Sequence, residues 1–202
     1  MTPHETLLAA IRYFIPLAPA EEALFGQLFV AEEVPKGGFF LRPGEVSRKI
    51  AFVVQGVFHN FRSRDGQEHT FYFGREQEFI GDYSSFLPAL PAVHAIQALE
   101  PARLLSISYD NLQRLYREVD QGERFGRLVA EKLFTDVLGQ LTSFYEETSE
   151  ERYARDAYLP RLAAAYSSVL HRLLRGRQAP IAEPHSQPRN LRSCAAFMHL
   201  SE

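Results

Sequence analysis

Two adjoining runs of the sequence hold side chains that could contact a ligand. Phe79-Ile80-Gly81-Asp82 leads directly into Tyr83-Ser84-Ser85-Phe86. Aromatic and β-branched residues on both sides favour strands, and a glycine directly before a carboxylate predicts a tight loop whose amides and acid can face a ligand. A glycine–acid pair between strands also occurs in ordinary turns. The surrounding elements must therefore decide between a binding loop in a small β-barrel and a plain turn.

Catalytic chemistry has weaker support in the sequence. His59, His69 and His94 fall among the predicted strands, and barrels of the cupin type hold a catalytic metal with histidines and a glutamate, but no His-x-His pair is present. Ser84 and Ser85 lack a strand–turn–helix elbow and an identifiable base, so they predict polar pocket lining or a helix start. We predict no enzyme, no cofactor and no metal, and we keep a cupin-like metal enzyme as an alternative.

Composition limits the class of protein. The chain has 202 residues, 46% hydrophobic and 23% charged, values typical of a globular protein with one core or with a larger and a smaller domain. Its formal charge of -3 excludes an overall basic character but not a local basic patch. The single Cys194 cannot form an internal disulfide, the start lacks an export-signal pattern, and no apolar run is long enough to cross a bilayer. These features predict a cytoplasmic protein with no membrane partner.

The first third of the chain predicts helices before strands. Between Thr2 and Val30 apolar residues recur at helical spacing, interrupted at Pro16 and Pro19, and this pattern predicts two short helices. The segment Pro35-Lys36-Gly37-Gly38 then ends the helical pattern.

Short apolar runs separated by turn residues follow between Phe39 and Ser108. The runs are Phe39–Leu41, Ile50–Val54, Val57–Phe61, His69–Phe73, Phe79–Ile80, Val93–Ala98 and Arg103–Ile107. Such spacing favours a sandwich or barrel. Asp65-Gly66 between two of these runs predicts a tight antiparallel hairpin.

Helical spacing returns after Tyr109 and predicts a short helix followed by a long one. The long helix has one apolar stripe, formed by Phe125, Leu128, Val129, Leu133, Val137, Leu138, Leu141 and Phe144. It would span roughly 35 Å, so half of the stripe can cover the barrel and the rest can pack against a second copy. We predict a homodimer, and a helix that only crosses its own barrel is the alternative.

The last part of the chain has a different composition. Residues 159–174 are compatible with an amphipathic helix, after which Pro180, Pro184 and Pro188 interrupt any regular element. From Arg155 onward the sequence has arginines but no lysine. These arginines could contact phosphates or belong to a solvated tail.

Several spaced motifs together resemble a known family. They are Gly44-Glu45, Phe52-Val53-Val54-Gln55-Gly56, Asp65-Gly66, Phe79-Ile80-Gly81-Asp82 and Leu105-Ser106-Ile107-Ser108. Their order is similar to that in the cyclic-nucleotide-binding β-roll of the CRP/FNR transcription regulators. The resemblance covers about Glu21 to Glu151.

The resemblance implies an α+β fold in which an antiparallel β-roll, a double-stranded β-helix, is flanked by short N-terminal helices and a long C-terminal dimerisation helix. With it we predict three parts: helices and roll over 1–120, the dimerisation helix over 121–150, and a remnant or atypical helix-turn-helix region with a proline- and arginine-rich tail over 151–202. The function implied is regulation of transcription by a small effector. The implied effector-pocket residues are Gly81, Asp82, Tyr83, Ser84, Ala92 and Val93.

Two departures from the family pattern shape these expectations. Ala92 and Val93 stand where nucleotide-binding members have an Arg-Ser pair for the cyclic phosphate, so we predict that ordinary cyclic AMP binding is lost. The glycine turn of a helix-turn-helix is not found after Arg152, and we interpret the segment after about Arg155 as a frameshifted or degenerated DNA-binding element. A sensory or dimerisation module without DNA binding is therefore the main alternative function.

Overall fold

The structure is a computed structural model that describes residues 1–64 and 66–146, without the side chains of 67, 140 and 143–145. Two short helices come first, α1 (Pro3–Arg12) and α2 (Pro19–Leu28). Thr2 caps α1 through its hydroxyl, while the Glu5 carboxylate accepts from the Thr2 amide, and Pro3 supplies a first-turn residue that needs no amide partner. The predicted pair of helices is thus confirmed.

Eight strands lie between the helical segments of the described chain. They are β1 (Val30–Val34), β2 (Phe39–Leu41), β3 (Lys49–Gln55), β4 (Phe58–Arg64), β5 (Gln67–Gly74), β6 (Phe79–Ile80), β7 (Ala95–Ala98) and β8 (Ala102–Ser108). They form two four-stranded antiparallel sheets, in the orders β1-β8-β3-β6 and β2-β7-β4-β5. The predicted antiparallel roll is confirmed, and so is the predicted antiparallel pairing of β4 with β5. The predicted tight turn includes Asp65, which lies outside the described residues.

Strand β1 was not among the predicted runs, because the helical pattern was continued to Val30. The structure instead pairs Val30–Val34 with Ala102–Ser106 of β8. Leu28 and Phe29 fit the helical period, while the exposed Val30 and the acids Glu32 and Glu33 conceal the alternation of a strand. Only the β-branched residues at the two ends of β1 favoured a strand.

The remaining helices are α3 (Tyr83–Phe86), α4 (Tyr109–Glu118) and α5 (Gly122–Glu146). The Ser108 hydroxyl caps α4 by accepting from the Asn111 amide. With 25 residues, α5 is about 37 Å long. Within the described part of the chain, no helix is both long and apolar enough to cross a membrane.

Strand β3 separates the two hydrophobic clusters of the protein. Ile50 and Phe52 face a cluster that includes α1, α2, α4 and the start of α5, whereas Ala51 and Val53 face the interior of the roll. Because successive side chains of a strand point to opposite faces, burial of both faces explains why β3 reads as a continuous apolar run. The packing fixes the roll against the helices on one side.

Gly56 allows the close turn between β3 and β4. Its φ angle is +105°, and a Cβ atom there would lie 2.7 Å from the Cβ of Ala102. Only glycine can adopt this φ angle and fit this close to Ala102 without strain. This turn therefore keeps β4 aligned with the second sheet.

Candidate functional site

The candidate site begins where β6 ends. Gly81 follows Ile80 directly, and a Cβ atom at Gly81 would approach the Cγ2 of Ile50 to 2.6 Å. A larger residue would push the loop away from β3, so glycine fixes the position of the next residue, Asp82. The carboxylate of Asp82 is 2% exposed.

Asp82 is the N-cap of α3. One carboxylate oxygen, Oδ1, accepts from the amides of Ser84 at 3.0 Å and Ser85 at 3.1 Å, and from the Ser84 hydroxyl at 2.5 Å. Asp followed by two serines is a favourable helix start. Of the two interpretations of Ser84 and Ser85, polar pocket lining or a helix start, the structure shows the helix start. The capping role of Asp82 was not predicted.

The other oxygen of Asp82, Oδ2, has no hydrogen-bond partner in the described structure. Nε2 of His94 lies 3.6 Å from it. His94 is largely buried and meets the ring of Phe71 edge-on, with the centroids 5.1 Å apart. No local pattern predicts this pairing, because the two residues lie 12 positions apart, one before α3 and one before β7.

Ala92 and Val93, both predicted as pocket residues, have opposite exposures in the structure. Ala92 is buried in the roll interior, and its amide donates to the Glu45 carbonyl while its carbonyl accepts from the Gly44 amide, both at 2.8 Å. Val93 is 60% exposed. The Gly44-Glu45 motif thus holds the loop in place through the backbone of Ala92.

Tyr83 faces the helical side of the roll. Burial, followed by the neighbouring Tyr116, raises the pKa of Tyr83 to about 12. Its hydroxyl is therefore protonated at neutral pH, and Tyr83 can act as a hydrogen-bond donor but not as a base.

The histidines considered as metal ligands have separate surroundings. His59 contacts the side chains of Gln97 and Thr70, His94 lies near Asp82, and His69 is exposed on β5. Among residues 1–64 and 66–146, no three His, Cys, Asp or Glu side chains come together in a group that could hold a metal ion. The structure therefore offers no observation in favour of the cupin-like alternative.

Comparison with known proteins agrees with this geometry. Residues 31–119 match the family model described as the cyclic nucleotide-binding domain. This stretch includes the roll from the second residue of β1 onward, the candidate site and α4. The chain therefore contains a domain of the cyclic nucleotide-binding fold, a type typical of regulatory proteins.

Solved structures share this fold at low sequence identity. The catabolite activator protein of Thermus thermophilus is 24% identical, with 89% of this chain and 91% of that chain covered and a TM-score of 0.52. The c-di-GMP responsive global regulator CLP of Xanthomonas campestris is 17% identical, with 70% and 71% covered and a TM-score of 0.54. These likenesses concern the fold alone.

A third match is partial. The regulatory domain of Toxoplasma gondii PKA is 15% identical with a TM-score of 0.48, and this chain covers 43% of its length. No curated protein sequence matches the chain significantly.

Proposed function

We propose that this protein is an effector-sensing transcription regulator of the CRP/FNR type that acts as a homodimer. A small molecule bound near Gly81-Asp82 changes how two copies of α5 pack, and this change reorients the segments that contact DNA. The observation that supports the proposal most strongly is the division of α5 into a half packed on the roll and a half with its apolar side chains exposed.

The packed half is fastened by aromatic contacts. Phe125 is 4% exposed, and its ring centroid lies 5.9 Å from Phe14, 6.5 Å from Phe25 and 6.4 Å from Phe79. Leu128 and Val129 pack against the same cluster. These contacts place the first two turns of α5 firmly against the N-terminal helical segment and against Phe79 of the roll.

A short physical connection leads from the site to α5. Phe79 contacts Phe125 and lies only two residues before Gly81. Because buried aromatic rings are closely packed, a displacement of the Gly81-Asp82 loop would be transmitted through Phe79 to the start of α5. This gives effector binding a direct route to the helix pair.

The exposed half presents what we call the distal stripe, formed by Phe134, Val137, Leu138 and Leu141. These side chains are 64%, 52%, 45% and 49% exposed, respectively. Their spacing of three, one and three residues places them on one face of the helix. Such a face is suited to pack against its own copy in a helix pair.

Charged residues beside the distal stripe form pairs along α5 and make the rest of its exposed surface polar. Arg127 pairs with Glu131 at 2.5 Å, and Lys132 with Asp136 at 2.9 Å, both across one helical turn. Exposed pairs of this kind contribute little stability. They leave the distal stripe as the apolar surface available to a second copy.

The DNA-binding part of the proposal concerns residues 151–202, which lie outside the described residues. The hypothesis of a frameshifted or degenerated element concerns the same residues. Its support is the family resemblance and the arginines of this segment. The test is a gel shift with the DNA upstream of the gene over a series of salt concentrations. We expect retardation that weakens steeply as salt rises, and absence of retardation even at low salt would favour the sensory module without DNA binding.

The effector is proposed to differ from cyclic AMP. The positions expected to hold the phosphate are Ala92 and Val93, and neither side chain can neutralise a phosphate ester. Calorimetric titration with cyclic AMP should give no measurable heat of binding. A micromolar dissociation constant would contradict this part of the proposal.

A further inference from the structure

An unsatisfied carboxylate oxygen lies at the centre of the candidate site. Oδ1 of Asp82 accepts three hydrogen bonds from Ser84 and Ser85, whereas Oδ2 accepts none, although the residue is 2% exposed. A buried charged oxygen without a donor is destabilising. A donor group supplied by a ligand would remove this cost.

The geometry around Oδ2 suits a single donor atom. Nε2 of His94 is 3.6 Å from Oδ2, which is too long for a direct hydrogen bond. One nitrogen or oxygen atom can still lie about 2.8 Å from both without separating them. The ring of Phe71, which contacts His94 edge-on, is 43% exposed, so this contact reaches the protein surface.

The loop after α3 adds what we call the apolar rim, formed by Leu87, Leu90 and Val93. These side chains are 58%, 58% and 60% exposed. The Ser85 hydroxyl donates to the Leu90 carbonyl, and the Leu90 amide donates back to the Ser85 carbonyl at 3.2 Å. The rim is therefore displayed on a loop fixed to the same helix that Asp82 caps.

The segment that forms this site offers few groups that could bind an anion. Between Phe79 and Leu99 the sequence has no lysine or arginine, and Asp82 is its only carboxylate. The amides of Ser84 and Ser85 already donate to Asp82, and the amide of Ala92 donates to Glu45. An anionic group would find these donors engaged and would be repelled by the Asp82 charge.

One cation on a neighbouring strand must be considered. Arg62 is exposed and lies one position beyond the Phe61–Ala95 pair of β4 and β7, on the side towards His94. The strand register places it opposite His94, so the binding experiment includes a variant of Arg62.

We propose that the site takes a small molecule with an apolar body and a hydrogen-bond-donating head that has no negative charge. The head lies between Oδ2 of Asp82 and Nε2 of His94, and the body contacts Phe71 and the apolar rim. This inference rests on the proposed effector function and specifies its ligand class.

The test uses probes of nearly equal size: benzyl alcohol, benzylamine and benzoate, with cyclic AMP as a fourth. Binding to the full chain is followed by NMR through the amide resonances of Ser84 and Ser85. We expect benzyl alcohol or benzylamine to bind at least about tenfold more tightly than benzoate. In D82N this preference should shrink several-fold, because the amide keeps the helix cap but not the charge.

E33Q provides the matched control, because Glu33 is an exposed acid on β1, away from the site, and its removal should leave all affinities unchanged. Stronger binding of benzoate or cyclic AMP, lost in R62Q, would overturn the inference in favour of an anion site. Failure of both uncharged and cationic probes to shift the Ser84 and Ser85 resonances of the folded protein would overturn it as well.

Light scattering on the same samples separates this inference from the proposed function. A monomer that binds benzylamine through Asp82 would contradict the dimeric regulator but support the ligand class. A dimer that prefers benzoate would support the dimeric regulator but contradict the ligand class.

Discussion

The two halves of α5 have similar apolar side chains and opposite surroundings. Phe125 near the start is 4% exposed and contacts three other aromatic rings, whereas Phe134 is 64% exposed. The apolar stripe continues across both halves, but only its first half is packed in the hydrophobic cluster. The second half runs near Tyr72 of β5, on which the charge of Asp136 acts, and still leaves its apolar side chains exposed. The difference indicates that one helix serves two purposes: the first half fastens it to its own domain, and the second is left for another surface.

The largest expected effect comes from the packed half. F125A removes a ring from a buried aromatic cluster, and we expect the free energy of unfolding to fall by about 3–5 kcal/mol. Urea denaturation followed by circular dichroism measures this change.

F134A is the control for that prediction, because it removes the same ring from the exposed half. Both variants are compared in an L138E background, in which pairing of two copies is disfavoured. There we expect F134A to change the free energy of unfolding by about 0.5 kcal/mol or less. Equal losses for F125A and F134A would remove the contrast between the halves.

The next effect concerns the distal stripe itself. L138E places a carboxylate on each of two facing helices, so we expect the dimer dissociation constant to rise at least about 100-fold. Analytical ultracentrifugation over a range of concentrations measures it. A wild-type dissociation constant in L138E would show that the copies pair through another surface.

Two glycines of α5 sharpen the comparison. A Cβ atom at Gly126 would lie 2.6 Å from the ring of Tyr116, whereas nothing lies within 4 Å of one at Gly139. We expect G126A to destabilise the protein by about 1–2 kcal/mol because the tyrosine must move. G139A should stabilise it by up to about 1 kcal/mol through its higher helix propensity. Thermal unfolding measures both, and shifts of the same sign would contradict the description of the two halves.

The smallest expected effect is a pH dependence of the free energy of unfolding, caused by His59 in the roll. Burial lowers the pKa of His59 from its ordinary value of 6.5, while the hydrogen bond to Gln97 and the charge of Glu68 oppose that shift. The unfolded chain therefore takes up the proton at higher pH than the folded one. The free energy of unfolding should be unaffected well above pH 6.5 and should fall as the pH drops below it.

H59Q tests this pH effect, because glutamine does not titrate. Urea denaturation of H59Q between pH 5 and 8 should give a flatter pH profile than the wild type at the same protein concentration. An unchanged profile would assign the dependence to other groups.

The sequence predicted the elements that depend on local pattern. Hydrophobic periodicity predicted the two N-terminal helices and the long helix, and short apolar runs with turn residues predicted the roll. Strand β1 was not predicted because its acids conceal the alternation, and because its formation depends on pairing with residues of β8 that lie 68 to 76 positions away in the sequence.

The site was predicted only in part. The Gly81-Asp82 loop and the helix start at Ser84 follow from residue type and spacing. The contact between Asp82 and His94, and the opposite exposures of Ala92 and Val93, depend on how the loop folds back onto Gly44 and Glu45. Such long-range contacts leave no periodic signal in the sequence.

The molar mass of the wild-type protein in solution tests the central claim most directly. Size-exclusion chromatography with light scattering should give twice the 23.0 kDa of one chain, because the distal stripes of two copies pack against each other. A mass of 23.0 kDa at every concentration would contradict the account and leave the second half of α5 without the proposed role.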